Sequence, residues 1–500
     1  MSRPAPLVIV SLPGRSVEEL RDEVRAAEAG RADLAEIRLD RLSPEQLPRL
    51  GELFPSPVPL LATYRSAAEG GQGASDPELR RAILSQAAEL PFAWIDLEAA
   101  RDRSLYETMR AGPGRTVVLS THFPELSDLA PLAQAAREPV PPHGVRKLVA
   151  PAAVSRWLFE IVPNLPPPGE SPLVVAATGP AGPLSRAESR RLGAAAVFAA
   201  LPRAGPGEGL RDAVEPSQIP VDRLRRFLEA TDEAPLFGIA GRPVAHSRSP
   251  DLHGRWMARD GRSGLYVPLE FGRDEEFVRC LPGLAAAGFR GINVTHPFKP
   301  IALGAASRVE RAAEVCGVAN CLTFEGDEVE AQNTDLAAIL RRLTELQRAR
   351  RWAGGDLAVI GNGGAARATL AAARELSVPA RLYARRAGAA GEIARAFGAT
   401  VGDPDHASHA SLVVHATPVG RLGAGVLEVP IHSLVGPGTI VLDWVYAPDD
   451  PAVRVATEAG GGTYEDGWRL LVYQAAESYA IWWGEPPAAS EVDRAVAEGP

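Results

Sequence analysis

Two lysines lie where an ordinary surface charge would not be placed. Lys147 sits inside the apolar run GVRKLVA, and Lys299 lies in INVTHPFKP, just past another apolar run. An amine set in an apolar strand is either paired with a carboxylate or kept partly neutral by desolvation. A neutral amine can attack a ketone and form an imine. His122, at the end of the preceding run, could shuttle a proton beside that imine. A core ion pair between Lys147 and Glu36 or Glu98 is the competing reading, and the residues alone leave both open. Lys299 and Asp335 (in VEAQNTD) form a second lysine–acid combination, of a kind most often met as a surface salt bridge. Both lie in Asn- and Thr-rich turns, which is unusual for a solvated face. A third group is the stretch FGIAGRPVAHSRSPDLH, Phe237–His253, where His246, Ser247, Ser249 and His253 follow a short apolar run. Hydroxyls both donate and accept, so such a loop suits a small polyhydroxylated ligand.

The fourth group is Gly361-Asn362-Gly363-Gly364-Ala365-Ala366, after the apolar run Leu357–Ile360 and before a helical stretch, Ala368–Leu376. This is G-x-G-x-x-A in its meaningful context of strand, tight turn and helix start. Glycines let the backbone approach a pyrophosphate, and the helix dipole favours its charge. The next strand, Ala380–Ala384, ends in Arg385 and Arg386, roughly 20 residues on, where an NAD enzyme carries an acid for the ribose hydroxyls. Guanidinium pairs with phosphate by bidentate hydrogen bonds, so NADP is expected over NAD. Later runs, Leu412–Ala416 and Thr439–Val445, end near Thr417 and Asp443, on the sheet edge where ligands bind.

The elements that must position these groups differ between halves. Between Pro6 and Leu201 there are eight short apolar runs: 7–12, 34–39, 58–64, 92–97, 116–120, 145–150, 173–177 and 195–201. Helical stretches such as Ser16–Ala29, Pro77–Glu89 and Ala152–Ile161 lie between them, with Ser16 and Glu19 as a capping box. Eight strands alternating with helices predict a (β/α)8 barrel, whose site sits at the C-terminal strand ends. Those ends carry Glu36 and Arg38, Arg65, Asp96 and Glu98, His122, Lys147 and Thr178. Pro202–Pro235 reads as the exit from the last strand, a helix over 221–230 and a tether. Beyond it, runs at 236–241, 265–271, 288–294, 315–324 and 329–332 predict an α/β substrate domain, followed by the dinucleotide domain. A last helix, 467–483, carries Gln474 and is expected to pack back on the substrate domain.

A chain of 500 residues suggests two or three domains. A net charge of −9 gives no reason to expect nucleic acid or an acidic membrane as partner. Three cysteines, Cys280, Cys316 and Cys321, lack metal-ligand spacing and fit a reducing compartment. With no long apolar run and no signal pattern, a cytoplasmic enzyme without a metal is expected.

The first half resembles type I 3-dehydroquinate dehydratase through EIRLD, TYRSAAEGG, WIDLE, LSTHF, VRKLVA, TGPAGPLSR and AGPGE, taken in order. The resemblance implies that Lys147 forms the Schiff base, that His122 moves the protons and that Glu69 orients His122. It implies Arg186 for the substrate carboxylate, with Glu36, Arg38 and Arg65 on the hydroxyl side and Ser11 beside them. The family's last loop reads Ser-Ala-Pro-Gly-Gln. Here Ala204-Gly205-Pro206-Gly207-Glu208 is aligned with it, which predicts Glu208 at the substrate and a raised KM.

Residues 236–485 resemble shikimate dehydrogenase through SRSP, INVTHPFK, VAN, NTD, GNGGAAR, ATPVG, DWVYAP and EDGW…YQAAE. The resemblance implies Lys299 and Asp335 as the catalytic pair. It implies Ser247, Ser249, Asn293, Thr295, Asn320 and Gln474 around the substrate, with Gly361, Asn362, Gly363, Gly364, Ala365, Arg385, Arg386, Thr417 and Gly467 at NADP. Departures are Gly254, Cys321, Ala331 and Arg421, none of which removes a proton carrier. The expected domains are 1–230, then 236–340 completed by 466–490, then 350–465. The expected function is dehydration of 3-dehydroquinate followed by NADPH-dependent reduction to shikimate, on small molecules alone. The rival expectations are a second half that prefers quinate or NAD, and a non-catalytic quinate-pathway sensor. A sensor should have lost its proton carriers, which this chain keeps. Oligomeric state is not fixed by the sequence.

Overall fold

The computed structural model describes residues 4–500, apart from 75, 110–114, 141, 202–213, 232–233, 386, 404–406, 422–424, 426, 428, 430 and the side chains of 387–389. Two compact units emerge. One is Met1–Gly238 with Arg242–His246 and Arg262–Phe289, and the other is Ile239–Gly241 with Ser247–Gly261 and Arg290–Pro500.

The eight expected strands form the barrel: β1 Leu7–Ser11, β2 Leu34–Arg38, β3 Leu60–Thr63, β4 Trp94–Glu98, β5 Thr116–His122, β6 Gly144–Pro151, β7 Leu173–Thr178 and β8 Ala196–Ala199. The order is β7-β6-β5-β4-β3-β2-β1-β8, and each neighbouring pair in it is parallel. Between the two ends of that order, the Ala195 N–H donates to the Leu173 carbonyl at 2.8 Å. Strand side chains alternate, and that alternation makes the site. One inward layer is apolar, with Ile9, Leu34, Leu61, Val118, Val145, Val174 and Phe198 in one buried cluster. Two residues further along the same strands come Ser11, Glu36, Thr63, Ser120 and Lys147, all buried. A dry floor therefore carries a polar layer at the strand ends.

Helix Val17–Ala29 is capped by Ser16, whose hydroxyl accepts from the Glu19 N–H. The expected box closes on a different donor, because Glu19 accepts from the Arg15 N–H at 2.7 Å. In the same unit, helix Asp274–Ala286 meets the barrel: the Ser155 hydroxyl donates to Glu276 at 2.7 Å, and Arg279 lies 5.1 Å over the Phe159 ring.

The second sheet contains β9 Leu236–Gly241, β10 Leu265–Glu270, β11 Phe289–Val294, β12 Arg308–Val309, β13 Cys321–Glu325 and β14 Glu328–Gln332. Its order is β10-β9-β11-β13-β14-β12. The expected run 315–324 is corrected here. Its first residues belong to helix Arg311–Cys316, which Gly317 ends at φ 64°, and only then does β13 begin. An apolar run does not distinguish the end of a buried helix from the start of a strand.

The third sheet has β15 Leu357–Ile360, β16 Ala380–Tyr383, β17 Thr400–Val401, β18 Leu412–His415, β19 Ile440–Asp443 and β20 Thr463–Glu465. All five pairings are parallel, in the order β17-β16-β15-β18-β19-β20. This is the doubly wound order, and its direction reverses between β15 and β18. The last long helix, Trp468–Trp483, puts the Trp482 indole against β11. Gly291 makes the room, since a Cβ there would stand 2.0 Å from the indole nitrogen.

Candidate active sites

At the barrel mouth the charged side chains form one network. Lys147 Nζ is 3.1 Å from Asp96, 3.8 Å from Glu36 and 3.9 Å from the centre of the Phe198 ring. The Ser11 and Thr63 hydroxyls donate to Glu36 at 2.7 and 2.8 Å. Arg65 reaches Asp96 (2.9 Å), Ser120 (2.9 Å), Glu69 (3.1 Å) and Glu98 (3.4 Å). Glu69 accepts from the His122 backbone N–H and stands 3.1 Å from His122 Nδ1. The anticipated ion pair at Lys147 therefore exists, with Asp96 as the nearer acid; Glu98 instead holds Ser66, Arg65 and Arg101.

The charges set the protonation pattern. Burial favours protonation of Asp96, but Arg65 and Lys147 outweigh it and hold the carboxyl well below its usual range. Burial, with Arg65 and Lys147 adding to it, pushes His122 well below the usual histidine value. The imidazole is thus neutral and able to accept a proton. Burial and the neighbouring Glu98 push Glu69 up.

Arg38 sets both its Nε and Nη2 on Asp40 at 2.8 Å, and Glu36 and Asp96 also act on its charge. Arg186 is buried, and its Nη2 lies 3.1 Å from Glu215. Ala204 and Glu208 lie outside the described residues. At the mouth stands a residue that sequence reasoning missed. Gln218 is 5% exposed, donates to the Ser11 hydroxyl at 3.0 Å, and keeps its buried Oε1 without a hydrogen-bond partner among the described residues. The signal was EPSQIP, an amide between two prolines just ahead of the helix that follows the last barrel strand.

The second site is built from amides and hydroxyls around one ion pair. Lys299 Nζ meets Asp335 at 2.5 Å. Lys299 opens helix Lys299–Ala305 after the β11 turn, and Asp335 lies in the first turn of Thr334–Arg348. Asn320 Nδ2 donates to Asp335 at 2.8 Å and to the Thr334 hydroxyl at 2.9 Å, while its Oδ1 accepts from the Thr334 N–H. Asn293 donates to the Ser478 hydroxyl at 2.7 Å, and Gln474 Oε1 lies 3.5 Å from the Thr334 hydroxyl. Asn293, Asn320, Asp335, Lys299 and Gln474 are thus brought together, and Ser478 and Thr334 join them.

Ser247 accepts from the Ser249 N–H at 3.3 Å, and the buried Ser249 hydroxyl has no partner among the described residues. The Thr295 N–H donates to the Ala240 carbonyl, setting the β11 turn beside the end of β9. The expected loop is corrected at its far end. Ser249–Arg259 is a helix, and His253 is 1% exposed among Trp256, Tyr479 and Trp482, whose ring centres lie 5.5–6.1 Å away. Burial pushes its pKa down to about 3, so it is a neutral core residue.

The residues at the β15 turn fit a dinucleotide. Gly361 has φ 118°, and a Cβ there would lie 2.6 Å from the Ala416 carbonyl oxygen, so only glycine is accommodated. Gly363 caps helix Gly364–Glu375 with open space where its Cβ would point, and the first turn, including Ala365, carries no acid. Asn362 is exposed in the turn between them. Arg385 is exposed just past β16, and Arg386 lies outside the described residues. Thr417 is fixed through a buried relay: His415 Nε2 is 2.6 Å from its hydroxyl, and His415 Nδ1 is 2.8 Å from Asp443. Gly467 sits against the Trp444 carbonyl, where a Cβ would come within 2.4 Å. Arg421 lies 4.4 Å over the Tyr446 ring. Among the described residues there is no cluster of acids, histidines and cysteines suited to a metal, and no helix long and apolar enough to cross a membrane.

The family model for type I 3-dehydroquinase matches residues 8–235, and that for the shikimate dehydrogenase substrate binding domain matches 239–322. The chain is 37% identical over 269 residues to the shikimate dehydrogenase (NADP(+)) of Cereibacter sphaeroides strain KD131, covering 52% of this chain and 96% of that protein. It is 39% identical over 276 residues to the enzyme of the same name from Paracoccus denitrificans, covering 53% and 95%. The solved dehydroquinate dehydratase and shikimate dehydrogenase portion of AroM from S. pombe aligns over 99% of this chain and 98% of its own, at TM-score 0.42 and 20% identity.

Proposed function

The chain belongs to the shikimate dehydrogenase family in its second half and carries a type I 3-dehydroquinase domain in its first, and from that premise we propose how its residues run the two consecutive reactions. Residues 1–230 are taken as the dehydratase barrel, 236–340 with 466–490 as the shikimate-binding domain, and 350–465 as the dinucleotide domain.

In the barrel, Lys147 attacks the ketone of 3-dehydroquinate, and water leaves as the imine forms. The imine draws electrons from the neighbouring carbon, and His122 takes that carbon's proton. His122 then protonates the departing hydroxyl, so the ring gains a double bond and a second water leaves. Hydrolysis of the imine releases 3-dehydroshikimate and restores the amine. Glu69 orients the imidazole. Arg186 holds the carboxylate, and Ser11, Gln218, Glu36 and Arg65 face the ring hydroxyls.

In the second half, the β15 turn would hold NADPH, which would supply the hydride when bound. Lys299 gives a proton to the oxygen that becomes the hydroxyl, and Asp335 holds both the lysine and that hydroxyl. Ser247, Ser249, Asn293, Thr295, Asn320 and Gln474 read the remaining groups. Gly361, Asn362, Gly363, Gly364 and Ala365 would hold the pyrophosphate and Arg385 the 2′-phosphate, with Arg386 assigned to the same phosphate from the sequence alone, and Thr417 and Gly467 would lie toward the nicotinamide.

The observation that carries this reading is the neutral His122, held by Glu69 in the same charge network as Lys147. The test feeds 3-dehydroquinate with NADPH or NADH to the full chain and follows the enone and nicotinamide absorbances. Shikimate formed with NADPH, and a borohydride adduct mapped to Lys147, are expected. Absence of the adduct together with full dehydration by Lys147→Met would overturn the barrel mechanism.

A further inference from the structure

The seat that the dehydratase reading gives to the substrate carboxylate is already taken in this chain. Arg186 commits Nε to the Phe198 carbonyl at 3.2 Å, and Nη1 to the carbonyls of Ala177 at 2.9 Å and Gly182 at 2.8 Å. Those bonds lock the guanidinium plane and leave Nη2 as the hand for an anion. Nη2 meets Glu215 Oε2 at 3.1 Å. The arginine side chain is 4% exposed and the glutamate 25%, so the carboxylate is the partner on the solvent side. Glu215 is itself held: the Ser217 N–H donates to the same Oε2 at 3.1 Å, and the Ser217 hydroxyl donates there too. The next residue, Gln218, turns its amide to Ser11 in the catalytic layer. One tight segment, Glu215–Gln218, therefore ties the arginine to the strand ends.

A buried guanidinium without an anion is costly, so an empty barrel gains from an internal carboxylate. A substrate that brings its own carboxylate must share or displace that partner, and two anions on one nitrogen repel each other. We propose that Glu215 is a built-in competitor for the substrate carboxylate at Arg186, stabilising the empty barrel at the expense of affinity. The inference rests on the reading of Arg186 given above. Glu215 thereby sets KM without touching the chemistry at Lys147.

The test uses Glu215→Gln and Glu215→Ala in the full chain. Both variants are expected to lower KM for 3-dehydroquinate by about three- to fivefold, with kcat held within about twofold. Both should also unfold at a lower temperature when empty, and gain more than the parent on adding 3-dehydroquinate after borohydride-free equilibration. An unchanged or raised KM in both variants, with kcat intact, overturns the proposal and makes Glu215 a simple positioning partner of Arg186. Borohydride trapping on Lys147 separates this from the underlying reading. A parent that traps substrate while the variants keep its KM sinks only the competitor idea, whereas a parent that traps nothing removes the carboxylate seat itself.

Discussion

The barrel mouth and the reductase site are both centred on a lysine, yet they surround it in opposite ways. Around Lys147 nearly every neighbour is charged and buried: Asp96, Glu36, Arg65, Glu98 and Glu69 share one network. Among the described residues Lys299 pairs with one acid, Asp335, which is held in turn by the amide of Asn320 beside the Thr334 hydroxyl. The contrast follows from what each must do. A covalent imine creates and removes charge on the protein, so opposite charges are kept in place to balance it. A site that reads ring hydroxyls and passes one proton needs donors and acceptors of fixed geometry, which neutral groups provide without burying unpaired charge. The supports differ as well. The first cluster stands mostly on the strand ends of a single sheet, with Arg65 and Glu69 on the segment after β3, whereas the second is assembled from the end of β11, the residue before β13, two helix starts and a returning helix.

The contrast is broken most directly by removing each lysine. Lys147→Met is expected to lower dehydration by about 10³-fold or more while reduction of 3-dehydroshikimate stays within about twofold. Separate assays of the two steps check it, and a matching loss in reduction would mean that the sites are not independent. Lys299→Gln should lower reduction by about 10²- to 10⁴-fold with dehydration unchanged. Asp96→Asn removes the acid shared by Lys147 and Arg65, and should cost about 3–5 kcal/mol of stability. Asn320→Ala, its counterpart in the neutral site, should cost only about 1–3 kcal/mol. Denaturant titration of both variants would settle whether the charged mouth is the more fragile one. Arg385→Ala should raise KM for NADPH about tenfold and leave that for NADH unchanged.

A pH experiment sharpens the comparison further. His253 has its pKa pushed from 6.5 to about 3 by burial, so its contribution to stability is complete above about pH 6.5. It is lost as pH falls, because the unfolded chain takes up the proton first, with a slope approaching about 1.4 kcal/mol per pH unit. His122 is depressed as well and acts in the same direction. His253→Phe should flatten the stability profile between pH 6.5 and 4 while leaving the pH profile of reduction unchanged; an altered reduction profile would count against its being a core residue alone.

Much of this was legible from residues. The polar residues at the ends of the apolar runs marked the barrel mouth, while the apolar floor, with Ile9 two residues before Ser11 and Val145 two before Lys147, emerged only once the strands were in register. The glycine turn at Gly361 could be read because no other residue accepts its backbone angle beside Ala416. What stayed hidden was contact between distant segments. Asp96 was visible as a strand-end acid, but its nearness to Lys147 depends on the stagger of neighbouring strands. Gln218 was missed because the aligned loop was placed at Ala204–Glu208, while the amide that reaches Ser11 comes ten residues later. His253 looked like part of a ligand loop because its burial depends on Tyr479 and Trp482, more than 220 residues away.

The helix Trp468–Trp483 also sets a schedule. Asn293 takes its Ser478 partner from 185 residues further along the chain, and Gly291 keeps its side open for Trp482. At ordinary elongation speeds of 5–20 residues per second, that partner emerges roughly 10–40 s after the asparagine. During synthesis the barrel residues are therefore all made well before the second site receives its last helix, so the reductase half is the later of the two to be completed.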